Sequence, residues 1–304
     1  MQVAVTGATG IIGSAVVREL VSRGDRVVAL SRDAARAREQ LGDGVEAVEW
    51  ADPSSEPAPA AALSGCDGVV HLLGEPVDQR WSDEAKQRIR DSRVNGTRHL
   101  VAGIRDAESR PPVLVSQSAS GWYGPRGDEP VDESEPAAGD FLATVVQAWE
   151  AEARAAEELG VRVALMRTGV VLSEHGGALG KMMTPFKLGV GGPVASGRQY
   201  VPWVHIDDVA GAIVCALEDD RVRGPVNVTA PEPVTNRDFS RALGRALRRP
   251  AVMPVPGFAL KLMYGEMASI VTTGARVVPA RLAEIGYRFR RPGLDDALRA
   301  ATGR

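Results

Sequence analysis

Short apolar runs alternate with longer stretches of helical periodicity along the chain as far as Thr229. The runs Val3–Thr6, Val27–Leu30, Val45–Glu49, Gly68–Leu73, Val113–Ser116, Val161–Arg167 and Val226–Thr229 are short and rich in β-branched residues, which predicts strands. Between them, Ile12–Ser22, Asp83–Arg105, Phe141–Glu158 and Asp208–Leu217 carry apolar positions at helical spacing. Strands separated by helices predict an α/β fold, a doubly wound parallel sheet with both faces covered.

The remaining segments read as connections. Asp52–Pro59 is a surface link, Pro125–Gly139 an acidic loop, and Gly176–Arg198 a glycine-rich loop. After Pro231 the alternation lapses into a helix at Asn236–Leu247, then Pro254–Gly257 and a mainly helical tail, expected as a small lid over the carboxyl ends of the strands. The predicted organisation is a nucleotide-binding domain over residues 1–170 and 201–230, with a substrate and lid region over 171–200 and 231–304.

Thr6-Gly7-Ala8-Thr9-Gly10-Ile11-Ile12-Gly13 follows the first strand and opens the first helix. Gly7 permits a tight turn, Gly10 lets the backbone approach a pyrophosphate, and Gly13 lets the helix pack closely on the strand. The N–H groups at the helix start, with Thr9, Ile11 and Ile12 around them, suit an anion. This is the dinucleotide turn of a Rossmann-type sheet in its required strand–turn–helix setting. At the end of the second strand, where an acid would bind the ribose 2′-OH of NAD, stand Ser31 and Arg32. A hydroxyl and a guanidinium suit a 2′-phosphate, so the chain is expected to take NADP(H) in preference to NAD(H).

Composition narrows the partners. The 304 residues carry a net charge of −3 with 25% charged and 5% aromatic residues, and no basic block marks a nucleic-acid surface. No stretch reaches the roughly 20 apolar residues of a membrane span. The chain opens directly into a strand pattern, for which a cytoplasmic location is the expectation. Cys66 and Cys215 are far apart and expected as buried thiols, and no two of His71, His99, His175 and His205 stand at i, i+4, which leaves no metal site to propose.

Further motifs are spread over nearly the whole chain. They are His71-Leu72-Leu73-Gly74-Glu75-Pro76, Ser92-Arg93-Val94-Asn95, Ser116–Gly124, Gly127-Asp128-Glu129, Trp149-Glu150, Arg167-Thr168-Gly169, Gly189-Val190-Gly191-Gly192-Pro193, Trp203–Asp208 and Ala230-Pro231-Glu232-Pro233-Val234-Thr235-Asn236. On these the chain resembles the extended, epimerase-like form of the short-chain dehydrogenase/reductase superfamily. More closely it resembles an atypical group of NAD-dependent epimerase/dehydratase-like "epimerase family" proteins, labelled nucleoside-diphosphate-sugar epimerase or cell division inhibitor. The resemblance implies a C-terminal domain of unknown function at about residues 250–302. It implies that Leu72, Leu73 and Gly74 line the adenine-ribose and nicotinamide side of the cofactor. It further implies that Asn95 is a structural asparagine, that Ser118 hydrogen-bonds a substrate carbonyl or hydroxyl, and that Asp208 orients or caps the following helix.

The superfamily's Tyr-x-x-x-Lys acid/base pair is missing. The positions four before Lys86, Lys181, Lys187 and Lys261 hold Ser82, Gly177, Met183 and Gly257, and anchoring the helix on Glu150 puts Leu142 and Val146 where the pair belongs. Tyr123 is the best-placed replacement phenol, with packing as its other role. Glu75 and Arg80 form either a catalytic or a loop ion pair. His205 is either a site histidine or a structural one. Trp81, Trp122 and Trp203 either wall a pocket or pack in the core. Nucleotide-sugar enzymes of the extended type often carry an arginine where this chain has Val201, and Arg198 is displaced three residues earlier. That discounts a nucleotide-sugar substrate and leaves Lys181, Lys187 and Arg198 as candidate cations for a small anion.

Two functions follow. One is an NADP(H)-dependent oxidoreductase or epimerase-like enzyme for a small carbonyl or alcohol, using Ser118 and Tyr123. The other is a catalytically silent NADP(H)-binding redox sensor. A homodimer through the Asp83–Arg105 and Phe141–Glu158 helices is a further expectation, against the alternative that their apolar stripes only cover the sheet.

Overall fold

Val3, Ala4 and Val5 are fully buried, because the first strand runs through the middle of a sheet with helices on both sides. The computed structural model describes residues 1–303. The seven strands are β1 (Gln2–Thr6), β2 (Arg26–Ser31), β3 (Val45–Glu49), β4 (Gly68–His71), β5 (Val113–Ala119), β6 (Arg162–Thr168) and β7 (Gly224–Val228). All neighbours pair in parallel, in the order β3-β2-β1-β4-β5-β6-β7. The chain reverses its winding between β1 and β4, and the crevice at their carboxyl ends is where ligands bind in such sheets.

The helices are α1 (Ile11–Ser22), α2 (Ala34–Leu41), α3 (Asp83–Asp106), α4 (Phe141–Arg154), α5 (Gly177–Lys187), α6 (Ile206–Glu218) and α7 (Asn236–Leu247), followed by α8 (Gly257–Tyr264) and α9 (Leu294–Ala301). One face of the sheet is covered by α1 and α6, which bury Val16, Leu20, Val209 and Ile213 against it. The other face is covered by α3 and α4, through Leu100, Ile104 and Ala153. The apolar stripes of α3 and α4 thus cover the sheet, and an Arg98–Glu152 ion pair of 2.5 Å links the two helices at the surface.

The expected Gly176–Arg198 loop instead contains α5, despite Gly180 and Pro185 within it. Packing overrides the weak propensity: Leu179 and Phe186 enter a second core with Trp203, Phe239, Leu243 and Leu298. The tail packs at several places. Lys86 at the start of α3 pairs with Glu266 at 2.6 Å, holding the segment after α8 near the strand ends. Further on, Leu282, Ile285, Tyr287 and Phe289 pack into the main core beside α6. That strap is pinned by Asp208, whose carboxylate accepts the backbone N–H groups of Arg290 and Arg291 at 2.6 and 3.0 Å. Asp208 therefore anchors the tail, and the N-cap of α6 is His205. Among the described residues no helix is long and apolar enough to cross a membrane.

Candidate functional site: the crevice between β1 and β4

The glycine turn has the form that the sequence predicts. Gly7 sits at φ +65°, and a Cβ there would lie 2.8 Å from the Leu72 carbonyl oxygen at the end of β4. A Cβ on Gly13 would lie 2.1 Å from the Gly7 carbonyl oxygen, so α1 can close on β1 only through glycine. A Cβ on Gly10 would meet only the Gly7 oxygen, at 3.3 Å, and Thr9 beside it is exposed. Helices α2, α3, α4, α6 and α7 each begin with a side-chain cap, from Asp33, Ser82, Asp140, His205 and Thr235. Helix α1 begins on Gly10 without a side-chain cap and with no acid in its first turn. It therefore presents donors and a positive dipole end, the arrangement that receives a pyrophosphate. Helix α5 also starts without a cap, and a Cβ on Gly177 would lie 3.0 Å from Ile11 Cδ1.

At the end of β2, Ser31 Oγ donates to the Asp33 carbonyl at 3.1 Å. Asp33, next in the chain, is turned into α2, where its carboxylate accepts the Arg36 N–H at 2.9 Å. Arg32 is exposed and makes no hydrogen bond or ion pair among the described residues. A guanidinium with no ion pair among the described residues fits a 2′-phosphate.

Beneath the crevice, His71 joins β1, β4 and α3. Its Nδ1 lies 2.8 Å from Thr6 Oγ1 and its Nε2 3.0 Å from Thr97 Oγ1, and Thr6 Oγ1 also accepts the Leu72 N–H. Burial pushes the His71 pKa down to about 3, so the ring is neutral. Leu72 and Leu73 are half-buried at the crevice edge and Gly74 is exposed.

The expected catalytic residues lie elsewhere, in a closed network. Ser118 Oγ donates to Glu150 Oε1 at 2.6 Å. Arg167 grips the same carboxylate with Nε at 2.8 Å and Nη2 at 3.0 Å. Its Nη1 donates to Tyr123 Oη at 3.1 Å, and Tyr123 donates to Asn227 Oδ1 at 2.7 Å. The Trp122 ring lies 3.8 Å from the Arg167 guanidinium carbon. Glu133 closes the far end, where its Oε1 accepts the N–H groups of Asn227 and Arg281. Burial raises the Glu133 carboxyl pKa.

Tyr123 is 0% exposed and Ser118 1% exposed. Burial pushes the Tyr123 phenol up to about 12, only partly offset by Arg167, which moves it away from useful proton transfer near neutral pH. Desolvation works against the Arg167 charge, but Glu150 overrides it and holds its pKa above the ordinary value. Both hydroxyls are thus engaged inside the protein, Ser118 with Glu150 of α4 and Tyr123 with Arg167 of β6 and Asn227 of β7. Arg167 and Glu150, quoted above only as motif residues, are the centre of the network. The available signal was a charge at the end of a buried strand and another on an apolar helix face.

Glu75 does not pair with Arg80: its carboxylate accepts from Gln79 at 3.2 Å and lies 3.9 Å from Arg88, while Arg80 is exposed without a side-chain partner. His205 is buried as the cap of α6, accepting the Asp207 N–H at 3.2 Å, and burial lowers its pKa. Trp203 is buried and Trp122 half-buried over the Arg167 guanidinium; of the three tryptophans only Trp81, edge-on to Phe141 at 5.0 Å, stands with the segment following β4. Lys181 pairs with Asp78 at 2.6 Å, whereas Lys187 and Arg198 are exposed with free side chains. Tyr287 donates to the Asp208 carbonyl at 3.1 Å.

Comparison with known proteins bears on this geometry. Residues 3–229 match the NAD dependent epimerase/dehydratase family, and residues 255–301 match a domain of unknown function, DUF1731. The chain is 40% identical over 310 residues to the epimerase family protein SDR39U1 homolog, chloroplastic, of Arabidopsis thaliana, covering 99% of this chain and 86% of that protein. It is 36% identical over 299 residues to the epimerase family protein YfhF of Bacillus subtilis, covering 98% and 97%. The crystal structure of human epimerase family protein SDR39U1 (isoform2) with NADPH superposes with a TM-score of 0.88 at 34% identity, covering 100% of this chain and 99% of that one.

Proposed function

The chain belongs to the NAD dependent epimerase/dehydratase family, and from that premise we propose that it is an NADP(H)-dependent oxidoreductase or epimerase-like enzyme acting on a small carbonyl or alcohol. The observation that carries this reading is the uncapped, glycine-built start of α1 together with the unpartnered Arg32 at the end of β2. Gly7, Gly10, Gly13 and the first N–H groups of α1, at Ile11 and Ile12, would hold the pyrophosphate, with Thr9 at the rim. Arg32 would take the 2′-phosphate, with Ser31 shaping the turn, and Leu72, Leu73 and Gly74 would line the far half. The NADPH in the human relative supports the same assignment. When bound, NADPH supplies a hydride. The protein's part is to hold the substrate at the ends of β4 and β5 and keep its own phenol out of the reaction. Ser118 and Tyr123 act as positioning residues that fix the end of β5, and the proton comes from water or from the solvent-facing Glu75–Arg80 segment.

A second reading, a silent NADP(H) sensor, is favoured by one observation: Leu142 and Val146 occupy the acid/base positions while Ser118 and Tyr123 are sealed. Calorimetric titration with NADPH and NADH, followed by NADPH oxidation across small carbonyls, decides between the two. Binding with turnover supports the enzyme, and binding without turnover supports the sensor. In Arg32→Glu, NADPH affinity is expected to fall roughly 10- to 100-fold, the scale of charge-assisted hydrogen bonds, with NADH little changed. Equal losses for the two nucleotides would reject the 2′-phosphate role.

A further inference from the structure

Arg93 on α3 is a guanidinium only half satisfied by the chain. Its Nη1 donates to the Glu75 carbonyl at 2.9 Å and the Ile89 carbonyl at 3.0 Å, which ties the segment after β4 to the helix. The Trp149 ring lies 5.1 Å from its central carbon. Nε and Nη2 have no partner among the described residues. This edge lies against Gly74, where a Cβ would come within 3.0 Å of Cζ and Nη2 and 3.3 Å of Nε, so glycine leaves it uncovered. Gly74 is exposed at the crevice edge.

Among the described residues no carboxylate forms an ion pair with this cation. Glu75, the nearest acid in the chain, is turned to Gln79 and Arg88. By contrast, Arg167 is matched by Glu150 at 2.8 Å and Arg162 by Asp220 at 3.2 Å. Burial pushes the Arg93 pKa down to about 10, only partly offset by the charge of Glu75. A planar fork with its Nε–Nη2 edge free is the geometry that takes a two-oxygen anion through parallel hydrogen bonds.

We propose that the free Nε–Nη2 edge of Arg93, uncovered at Gly74, receives an oxyanion of the substrate, a carboxylate or a phosphate, so that this site acts on an anionic carbonyl compound or alcohol. The inference rests on the crevice being the substrate site of an NADP(H)-dependent enzyme. The same oxyanion chemistry could come from the cofactor's phosphates, and the experiment separates the two sources.

Wild type, Arg93→Lys and Arg93→Met are first titrated with NADPH and then, loaded with NADPH, with oxalate and with inorganic phosphate by calorimetry. Failure of wild type to bind NADPH would count against the proposed function and leaves the anion titration of the unloaded chain to judge Arg93. The expected result is saturable binding of at least one anion to wild type, at least tenfold weaker in Arg93→Met, with NADPH affinity within about twofold throughout. Arg93→Lys keeps the charge but not the fork and falls between, which also covers the case where the methionine variant does not fold. If neither anion binds wild type, or both bind all three proteins equally, the proposal fails. A parallel loss of NADPH affinity assigns the oxyanion to the cofactor and overturns the substrate role.

Discussion

The two ends of the crevice use polar groups in opposite ways. At the β1–β2 side, helix α1 starts uncapped and Arg32 has no partner among the described residues. At the β5–β6 side, Ser118, Tyr123, Glu150 and Arg167 are all buried and bonded to one another. Residue type does not separate the two sides, since both hold hydroxyls and guanidiniums. Satisfaction does. A polar group with a complete set of partners stabilises the fold, and one left open in a crevice has interactions to offer a ligand. The hydroxyls the sequence suggests for catalysis are of the first kind, and Arg93, which it passes over, has one edge of the second kind.

The sharpest way to break this contrast is to unpair the closed side. Arg167→Met leaves Glu150 buried without its cation and is expected to cost about 3–5 kcal/mol in urea denaturation, while NADPH affinity of the folded fraction stays nearly unchanged. The double variant Glu150→Leu/Arg167→Met is expected to recover much of that loss. If the double variant costs the sum of the single ones, the two residues do not act as a pair.

A smaller effect is expected beneath the crevice. The native state keeps His71 neutral down to about pH 3, whereas the unfolded chain gains that proton near its ordinary value of 6.5. Below the unfolded value the unfolded state therefore binds more protons, and stability falls as pH drops. From pH 6.5 to 5 the loss approaches about 1.4 kcal/mol per unit at the lower end, and His71→Gln flattens the slope. A wild-type curve as flat as the variant's would show that His71 titrates normally in the fold.

The mildest expected change is in Tyr123→Phe, which removes one hydroxyl from the network. It should cost about 1–2 kcal/mol of stability and leave NADPH affinity and any carbonyl turnover unaltered. Turnover falling more than a hundredfold with stability intact would restore Tyr123 as a proton donor and place the closed side in the chemistry.

Much of the fold was legible in the chain. Each of the seven apolar runs became a strand of the sheet, its ends placed to within three residues, and the glycine spacing located the turn where Gly7 adopts φ +65°. The helix at Gly177–Lys187 was not legible, because its glycines and proline oppose it and only burial of Leu179 and Phe186 sustains it. The role of Asp208 was hidden for a similar reason: its partners, Arg290 and Arg291, are 82 and 83 residues away.

What the sequence by itself determined is local: strand and helix periods, a turn that only glycine can make, and the Ser31-Arg32 pair that favours a 2′-phosphate. These signals depend on residues within a few positions of one another. Only the tertiary structure decided which polar side chains are free. Tyr123 meets Asn227 across 104 residues and Ser118 meets Glu150 across 32, and such partners follow from strand order and helix packing. A hydroxyl or guanidinium has the same chemistry wherever it stands in the chain, but its availability is set by the groups the fold brings within hydrogen-bonding distance.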